Sequence, residues 1–237
     1  MCVPPPPDLR ANRLLRDLPP AEDALLDPHL TLTSLVPHQQ LYDAGEPIKA
    51  LWFPVDSMIS QVAVFAGRAM VEVNTVGRDG LAGLPVVLGV DSTPHAALCQ
   101  VAGRAIEFPA DAVAEVLPAA PELQRRIALY SHVSMVQLGQ NAACLGRHPA
   151  PRRAARWLLT TADRTGRERV ELTQDFFAQM LGVRRATVSE IARDLQDAGL
   201  ISYRRGVITT IDRAGLADRA CSCYPLLLAQ DQLINAL

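Results

Sequence analysis

The stretch LGVRRATVSEIARDLQDAGLI, residues Leu181–Ile201, decides the fold of the second half of the chain. Its apolar residues recur at helical spacing, which predicts an amphipathic helix with one buried face. These residues are Val188, Ile191, Ala192 and Leu195. A second set lies away from that stripe and needs a role other than packing: Arg184, Arg185, Ser189, Glu190 and Arg193.

The segments around this helix predict a winged helix-turn-helix. TQDFFAQMLG before it has the pattern of a short helix, because Thr173 can cap its start and Gly182 can end it. LISYRRGVITTID after it alternates around Arg205-Gly206, which predicts a β-hairpin, the wing. Upstream, PRRAARWLLTTADRTG predicts a helix that Gly166 ends, and RVEL a short strand. In a helix-turn-helix the second helix lies in the major groove of DNA.

The segment from about Gln39 to Phe108 predicts β structure. Runs such as ALWFPV, MISQVAVF and AMVEVNTV are rich in β-branched and aromatic residues, and Gly, Pro and Asp separate them. Many short strands at close spacing favour an antiparallel barrel or roll over alternating β-α-β units. Before them, PPAEDALLDPHL predicts a short helix with proline at its entry and acids in its first turn.

Helical spacing returns from Pro121 to Leu145, where a stripe with small and polar interruptions predicts one long helix. The stripe contains Leu123, Ile127, Tyr130, Ser134, Leu138, Asn141 and Leu145. It can form the interface with a second copy of the chain, in which polar residues fix the register, or it can pack on its own domain. GRHPAP interrupts the pattern near Arg147. We therefore predict an α+β protein with a sensor-like β-roll (9–120), a dimerisation helix (121–147) and a winged helix-turn-helix domain (148–237).

The charge of the chain is unevenly distributed. From Arg147 to Arg213 there are thirteen arginines and eight acidic residues, a balance of +5, whereas the rest of the chain has a balance of −7. Basic excess in one segment is the electrostatic footprint of a polyanion-binding surface. A solvated surface with scattered charges gives the same count, so charge supports DNA binding without deciding it.

Composition excludes several other classes of protein. A chain of 237 residues has room for one large or two modest domains, and no apolar run approaches the roughly 20 residues of a membrane span. The N-terminus has no apolar core of a signal peptide, and five scattered cysteines do not form a disulfide framework, so we expect a cytoplasmic protein with reduced thiols. No P-loop, Gly-x-Ser-x-Gly or His-Glu-x-x-His motif is present, and we do not expect an enzyme.

The sequence LTQDFFAQMLGVRRATVSEIARDLQDAGLISYRRGVITTID closely resembles the Crp/Fnr family of bacterial transcription regulators, with RRAARWLL upstream in support. LYDAGEPIKALWFPV and VEVNTVGRDGLAGLPVVLG are similar to that family's cyclic-nucleotide-binding-type β-roll, so the resemblance extends from about Asn12 to Asp212. It implies a homodimer that binds double-stranded DNA in a sequence-specific manner. Activation in this family requires RNA polymerase, which is therefore an expected further partner.

The resemblance also implies DNA-contacting residues. The family's base-reading positions correspond to Arg185, Ala186 and Glu190, with Ser189 between them, and only Arg185 agrees with the family's usual set. Arginine suits guanine, alanine a thymine methyl group and glutamate the cytosine amine, so this chain is expected to read an operator of its own. The expected phosphate contacts are Arg184, Thr187, Arg204, Arg205 and Thr173.

The sensor half departs from the cyclic-nucleotide pattern of the family. That site needs a Gly-Glu pair and an Arg-Ser/Thr pair, but Leu84 and Pro85 follow Gly83, and no arginine precedes Ala96-Ala97. A buried phosphate without a cation is unfavourable, so we expect no cyclic nucleotide. Cys2 alone at the N-terminus offers too few ligands for the iron–sulfur cluster of the family's oxygen sensors, and no cofactor is expected.

One cysteine-rich constellation leaves an alternative open. Cys144 and His148 end the long helix, and Cys221 and Cys223 follow the wing. If the C-terminal segment folds back, these four could bind zinc or an iron–sulfur centre, whereas in the simpler interpretation they are plain thiols. The alternative function is therefore a small-molecule- or metal/redox-sensing β-roll protein in which DNA binding is ancillary.

Overall fold

Two antiparallel sheets form the N-terminal half in the computed structural model, which describes residues 7–66 and 69–237. Cys2 lies outside these residues. The predicted short helix precedes the sheets as α1 (Pro20–Leu26), followed by a 3-10 turn (Asp27–His29). The strands are β1 (Thr31–Leu35), β2 (Gln40–Tyr42), β3 (Ala50–Pro54), β4 (Met58–Val64), β5 (Met70–Val76), β6 (His95–Val101) and β7 (Gly103–Pro109). Their orders are β1-β7-β3 and β2-β6-β4-β5, and every pair is antiparallel.

The two sheets enclose a common apolar core, which confirms the predicted antiparallel roll. Leu35 and Trp52 of one sheet and Ile59 and Cys99 of the other belong to one buried cluster. Strand β1 lies before the predicted β segment. The sequence does not predict it, because only Leu35 of its five residues is buried and TLTSL has no apolar alternation. Two short helices, α2 (Leu84–Val87) and α3 (Ala110–Val116), complete this half.

The long helix α4 (Pro121–Arg147) occupies the residues predicted for it and ends at the GRHPAP break. Its start is capped by a residue that is distant in the sequence. The backbone N–H groups of Glu122 and Leu123 donate to the two carboxylate oxygens of Glu22 in α1, at 2.9 and 3.0 Å. A carboxylate at this end satisfies otherwise unpaired N–H groups and interacts favourably with the helix dipole.

The orientation of α4 contradicts the predicted interface for four residues. Leu123, Ile127, Tyr130 and Ser134 are all buried within the chain itself. The physical reason is that this face of α4 packs on the roll: Asn74 of β5 donates to the Ser134 hydroxyl at 3.1 Å, and the ring of Tyr130 lies against Gly80, where a Cβ atom would clash with it. These side chains already have intramolecular partners and are not available to a second copy.

The end of the predicted stripe behaves differently. Leu138 and Leu145 are exposed, and Asn141 is half-buried, donating to the carbonyl of Val73 at 3.0 Å and accepting from Arg156 at 3.0 Å. These two leucines belong to a second stripe that is free of the core, whose other members the sequence pattern did not single out. It comprises Ala128, Ser131, Met135, Leu138, Ala142 and Leu145 at alternating steps of three and four, all exposed except the half-buried Ser131.

The C-terminal half contains the predicted winged helix-turn-helix, followed by two further helices, and its three short strands form an antiparallel sheet with the last strand in the middle. Its elements are α5 (Ala150–Thr165), β8 (Arg169–Glu171), α6 (Gln174–Leu181), α7 (Arg185–Asp197), β9 (Ile201–Arg204), β10 (Val207–Thr210), α8 (Arg213–Arg219) and α9 (Cys223–Asn235). Its core includes Trp157 and Phe177 and continues into Met58 and Val62 of the roll. Within the described residues, no helix has the length and apolar character of a membrane span.

Candidate nucleic-acid interface

The first helix of the helix-turn-helix begins and ends at the residues predicted from the sequence. The Thr173 hydroxyl accepts from the N–H of Phe176 at 3.2 Å and so caps α6, and Gly182 ends that helix in the left-handed conformation with φ of 63°. Three residues, 182–184, then lead directly into α7. A turn this short fixes the angle between the two helices, because it leaves little conformational freedom.

Helix α7 divides into two faces. Val188, Ile191, Ala192 and Leu195 are buried, as predicted. On the opposite face, Arg185, Ala186 and Glu190 are exposed and Ser189 is half-buried. The steps between these four positions are one, three and one, so their side chains emerge from one side of the helix over its first turns.

Contacts within the helix-turn-helix leave this face open to a ligand. Arg185 Nε lies 3.6 Å from the Asp175 carboxylate, and both side chains are about two-thirds exposed. An exposed pair of this kind contributes at most about 1 kcal/mol, so Arg185 can exchange it for another acceptor. The Ser189 hydroxyl donates to the Gln174 side chain at 2.8 Å and is therefore more constrained than Arg185.

The predicted phosphate-binding residues surround α7. Arg184 is exposed immediately before the helix, Thr187 is half-buried in its first turn, and Thr173 is exposed at the start of α6. Arg204 ends β9, and Arg205 with Gly206 forms the turn of the wing, both arginines being exposed. Arg205 has φ of 52°, a conformation that L residues other than Asn and Asp seldom adopt.

A groove of about 660 Å³ lies between α6, α7 and the wing, and it includes residues not among the predicted contacts. Arg193 continues the exposed face of α7 one turn beyond Ser189. Gln196 and Tyr203 fix the wing: the Gln196 side chain accepts from the backbone N–H of Tyr203, and the Tyr203 hydroxyl donates to the Leu172 carbonyl, both at 2.7 Å. Burial raises the pKa of Tyr203 to about 12, so this hydroxyl remains a donor to higher pH than an ordinary tyrosine does. The periodicity of α7 already placed Arg193 away from the buried stripe without assigning it a DNA contact, whereas the Tyr203 contacts depend on the hairpin's position.

The four residues of the cysteine-rich constellation do come together. The potential ligand atoms of Cys144, His148, Cys221 and Cys223 all lie within 4.8 Å of one another. The three cysteines form a small buried cluster of their own, and His148 is half-buried. This cluster lies at the end of α4 and includes no residue of α7.

Known proteins share both the helix-turn-helix and the overall fold. Residues 152–219 match the family model described as the Crp-like helix-turn-helix domain. Among solved structures, FixK2 from Bradyrhizobium japonicum superposes with a TM-score of 0.68 at 16% identity, covering 81% of this chain and 98% of that one. A transcriptional regulator of the CRP family from Thermus thermophilus superposes with a TM-score of 0.65 at 20% identity, covering 79% and 96%.

A third similar structure is a regulator from Xanthomonas campestris described as c-di-GMP-responsive. It has a TM-score of 0.64 at 13% identity and covers 80% of this chain and 98% of that one. No match to the chain was found among curated proteins. The fold is therefore that of Crp/Fnr transcription regulators, and the resemblance predicted from the sequence is confirmed.

Proposed function

We propose that this chain, which has the Crp/Fnr fold and carries a Crp-like helix-turn-helix domain, is a homodimeric transcription regulator that binds double-stranded DNA at specific sequences. The observation that carries the proposal is the exposed face of α7, where Arg185, Ala186 and Glu190 project from a helix held by a capped α6 and a wing. A face with this donor and acceptor content suits base edges in a major groove.

Each residue of the interface has a proposed partner. Arg185 donates to both acceptors of a guanine, Ala186 contacts a thymine methyl group, Glu190 accepts from a cytosine amine, and Ser189 contacts a neighbouring base edge. Phosphates are contacted by a second set that fixes the register without reading sequence. This set is Arg184, Thr187, Arg204, Arg205 and Thr173. Affinity should then fall steeply with salt, because phosphate contacts release counterions.

The proposed dimer uses the exposed stripe of α4. The stripe repeats every seven residues. One heptad position is occupied by Ala128, Met135 and Ala142, and the position three residues later by Ser131, Leu138 and Leu145. Apolar side chains repeated in this way form the seam of a two-stranded coiled coil. Two-fold symmetry would place the two α7 helices one helical turn apart, about 34 Å, on a near-palindromic operator.

The proposed sensor half takes no cyclic nucleotide. The interior of the roll is lined by apolar residues including Tyr42, Ile59 and Ala97. Within the described residues, the buried arginines are Arg126, Arg153 and Arg164, from helices after the roll. Arg164 reaches the roll, but its guanidinium already donates to Thr75 of β5 and to Gln137 and lies 3.7 Å from Asp231. A cyclic phosphate in the interior would therefore lack a free cation to offset its desolvation. Isothermal titration should detect no micromolar binding of cyclic AMP or cyclic GMP, and micromolar binding of either would refute this part of the proposal.

In vitro selection of bound DNA tests the proposal as a whole. The full chain is exposed to a random duplex library with and without reductant, and we expect an enriched near-palindrome with two half-sites. RNA polymerase is the proposed further partner on such a site, in the cytoplasm. Enrichment of no sequence above the input library would contradict sequence-specific binding and would favour the alternative of a sensor with ancillary DNA binding.

A further inference from the structure

Two pairs of potential metal ligands, far apart in sequence, meet at the junction between α4 and the C-terminal half. Cys144 and His148 are four residues apart at the end of α4, and the N–H of His148 donates to the carbonyl of Cys144 at 2.9 Å. Cys221 lies between α8 and α9, and Cys223 is the first residue of α9. The fold thus brings together three sulfur atoms and an imidazole from two separate segments.

The spacing of the ligand atoms fits a single tetrahedral ion. Cys144 Sγ and Cys221 Sγ are 3.5 Å apart, as are Cys223 Sγ and His148 Nδ1, and all four ligand atoms lie within 4.8 Å of one another. Four ligands bound to one zinc ion, with Zn–S near 2.3 Å and Zn–N near 2.0 Å, lie about 3.5–3.8 Å apart. These two separations of 3.5 Å already meet this value, and the others, which are at most 4.8 Å, require a contraction of no more than about 1 Å.

The surroundings also suit a metal–thiolate centre. All three cysteines are about 1% exposed, and the Gln140 side chain donates to Cys223 Sγ at 3.0 Å, the kind of supporting contact that orients a ligand. Arg156 interacts electrostatically with the Cys144 and Cys221 sulfurs. Because zinc with three thiolates and a neutral imidazole has a net charge of −1, a nearby guanidinium would balance it.

We propose that Cys144, His148, Cys221 and Cys223 bind one zinc ion per chain. The protein fills all four positions, so the ion would have a structural role and leave no open position for a substrate. A four-iron cluster has its iron atoms at separate corners and therefore needs ligands further apart than those of one ion. The backbone N–H of Cys221 donates to the Arg152 carbonyl in α5 at 3.3 Å, so the zinc ion would join the end of α4, the start of α5 and α9.

Metal analysis of the untagged full chain, purified under reducing conditions, tests the site independently of DNA binding. We expect about one zinc and negligible iron per chain. After exchange with Co²⁺ we expect the intense visible absorption of a tetrahedral cobalt–thiolate centre. Removal of zinc by a chelator should lower the Tm, since binding to the native state alone stabilises it, and zinc should restore the Tm.

The matched variants are Cys221→Ser with Cys223→Ser, and Cys99→Ser as the control. Cys99 is buried in the roll, where its thiol donates to the Val101 carbonyl, and a serine can keep that bond. The double variant should lose at least nine-tenths of the bound zinc and the cobalt absorption, and the control should retain both. If the double variant does not fold, the wild-type cobalt spectrum decides the question.

Four outcomes would overturn the proposal. The first is a wild-type protein without zinc even after reconstitution. The second is iron with matching sulfide in place of zinc. The third is a Cys144–Cys221 disulfide in metal-free protein kept under reductant. The fourth is a folded double variant that retains wild-type zinc.

Discussion

Helices α7 and α4 both have an apolar stripe at helical spacing, but α7 buries its stripe within the chain, whereas α4 buries one stripe and leaves a second exposed. Helix α7 has one apolar face, and its four residues are buried as predicted. Helix α4 has two faces of comparable apolar character, one against the roll and one exposed. Periodicity identifies a buried face when there is one candidate, but it cannot assign partners when there are two.

The largest effect should come from the face of α4 that the roll covers. Leu123 is fully buried, so Leu123→Ala should lower the free energy of unfolding by about 3 kcal/mol through lost burial and a residual cavity. Leu145→Ala, on the exposed face, is the control and should have a much smaller effect on the monomer. Denaturant unfolding at low protein concentration provides the comparison. Equal losses for both variants would mean that the two faces are not distinct.

The exposed face of α7 predicts a loss of sequence discrimination. Arg185→Ala should weaken binding to the selected operator by about 2 kcal/mol and relax the preference at one base pair, because a bidentate guanine contact is lost. Arg204→Ala on the wing should weaken binding to all sequences similarly and reduce the salt slope. A gel-shift panel of single-base operator variants measures both. Retention of the wild-type preference by Arg185→Ala would show that another face of α7 reads the bases.

The exposed face of α4 predicts a change of association and not of folding. Met135→Glu with Leu138→Glu would place like charges across the proposed two-fold seam and should raise the dimer dissociation constant at least tenfold, about 1.4 kcal/mol. Analytical ultracentrifugation over a concentration series gives this constant, and circular dichroism checks the fold. A variant that dimerises like the wild type would place the interface elsewhere.

The smallest effect concerns the wing. Arg205 adopts a positive φ at which asparagine is better tolerated. Since this conformation costs an ordinary L residue about 1–2 kcal/mol, partial relief in Arg205→Asn should raise the free energy of unfolding by about 0.5 kcal/mol. The same change removes a proposed phosphate contact and should lower affinity for all DNA sequences. Stability and DNA affinity would thus move in opposite directions. Lower stability in thermal unfolding would contradict the proposed strain at this turn.

Local signals explain what could be predicted. Thr173, Gly166 and Gly182 determine helix ends through contacts only a few residues away, so their roles can be deduced from sequence alone. Strand β1 was missed because an edge strand with one buried residue lacks an alternating pattern. The cap that Glu22 provides to α4 joins residues about a hundred positions apart, and no local pattern indicates it.

The sequence by itself determined the antiparallel roll, the long helix after it, the helix-turn-helix and its exposed polar face. Those features depend on residue spacing and on contacts within a few residues. Only the tertiary structure decided which face of α4 meets the roll and whether Cys144 and His148 meet Cys221 and Cys223. These outcomes depend on how distant segments pack, because a helix with two apolar faces, or a pair of ligands, can be satisfied by more than one partner.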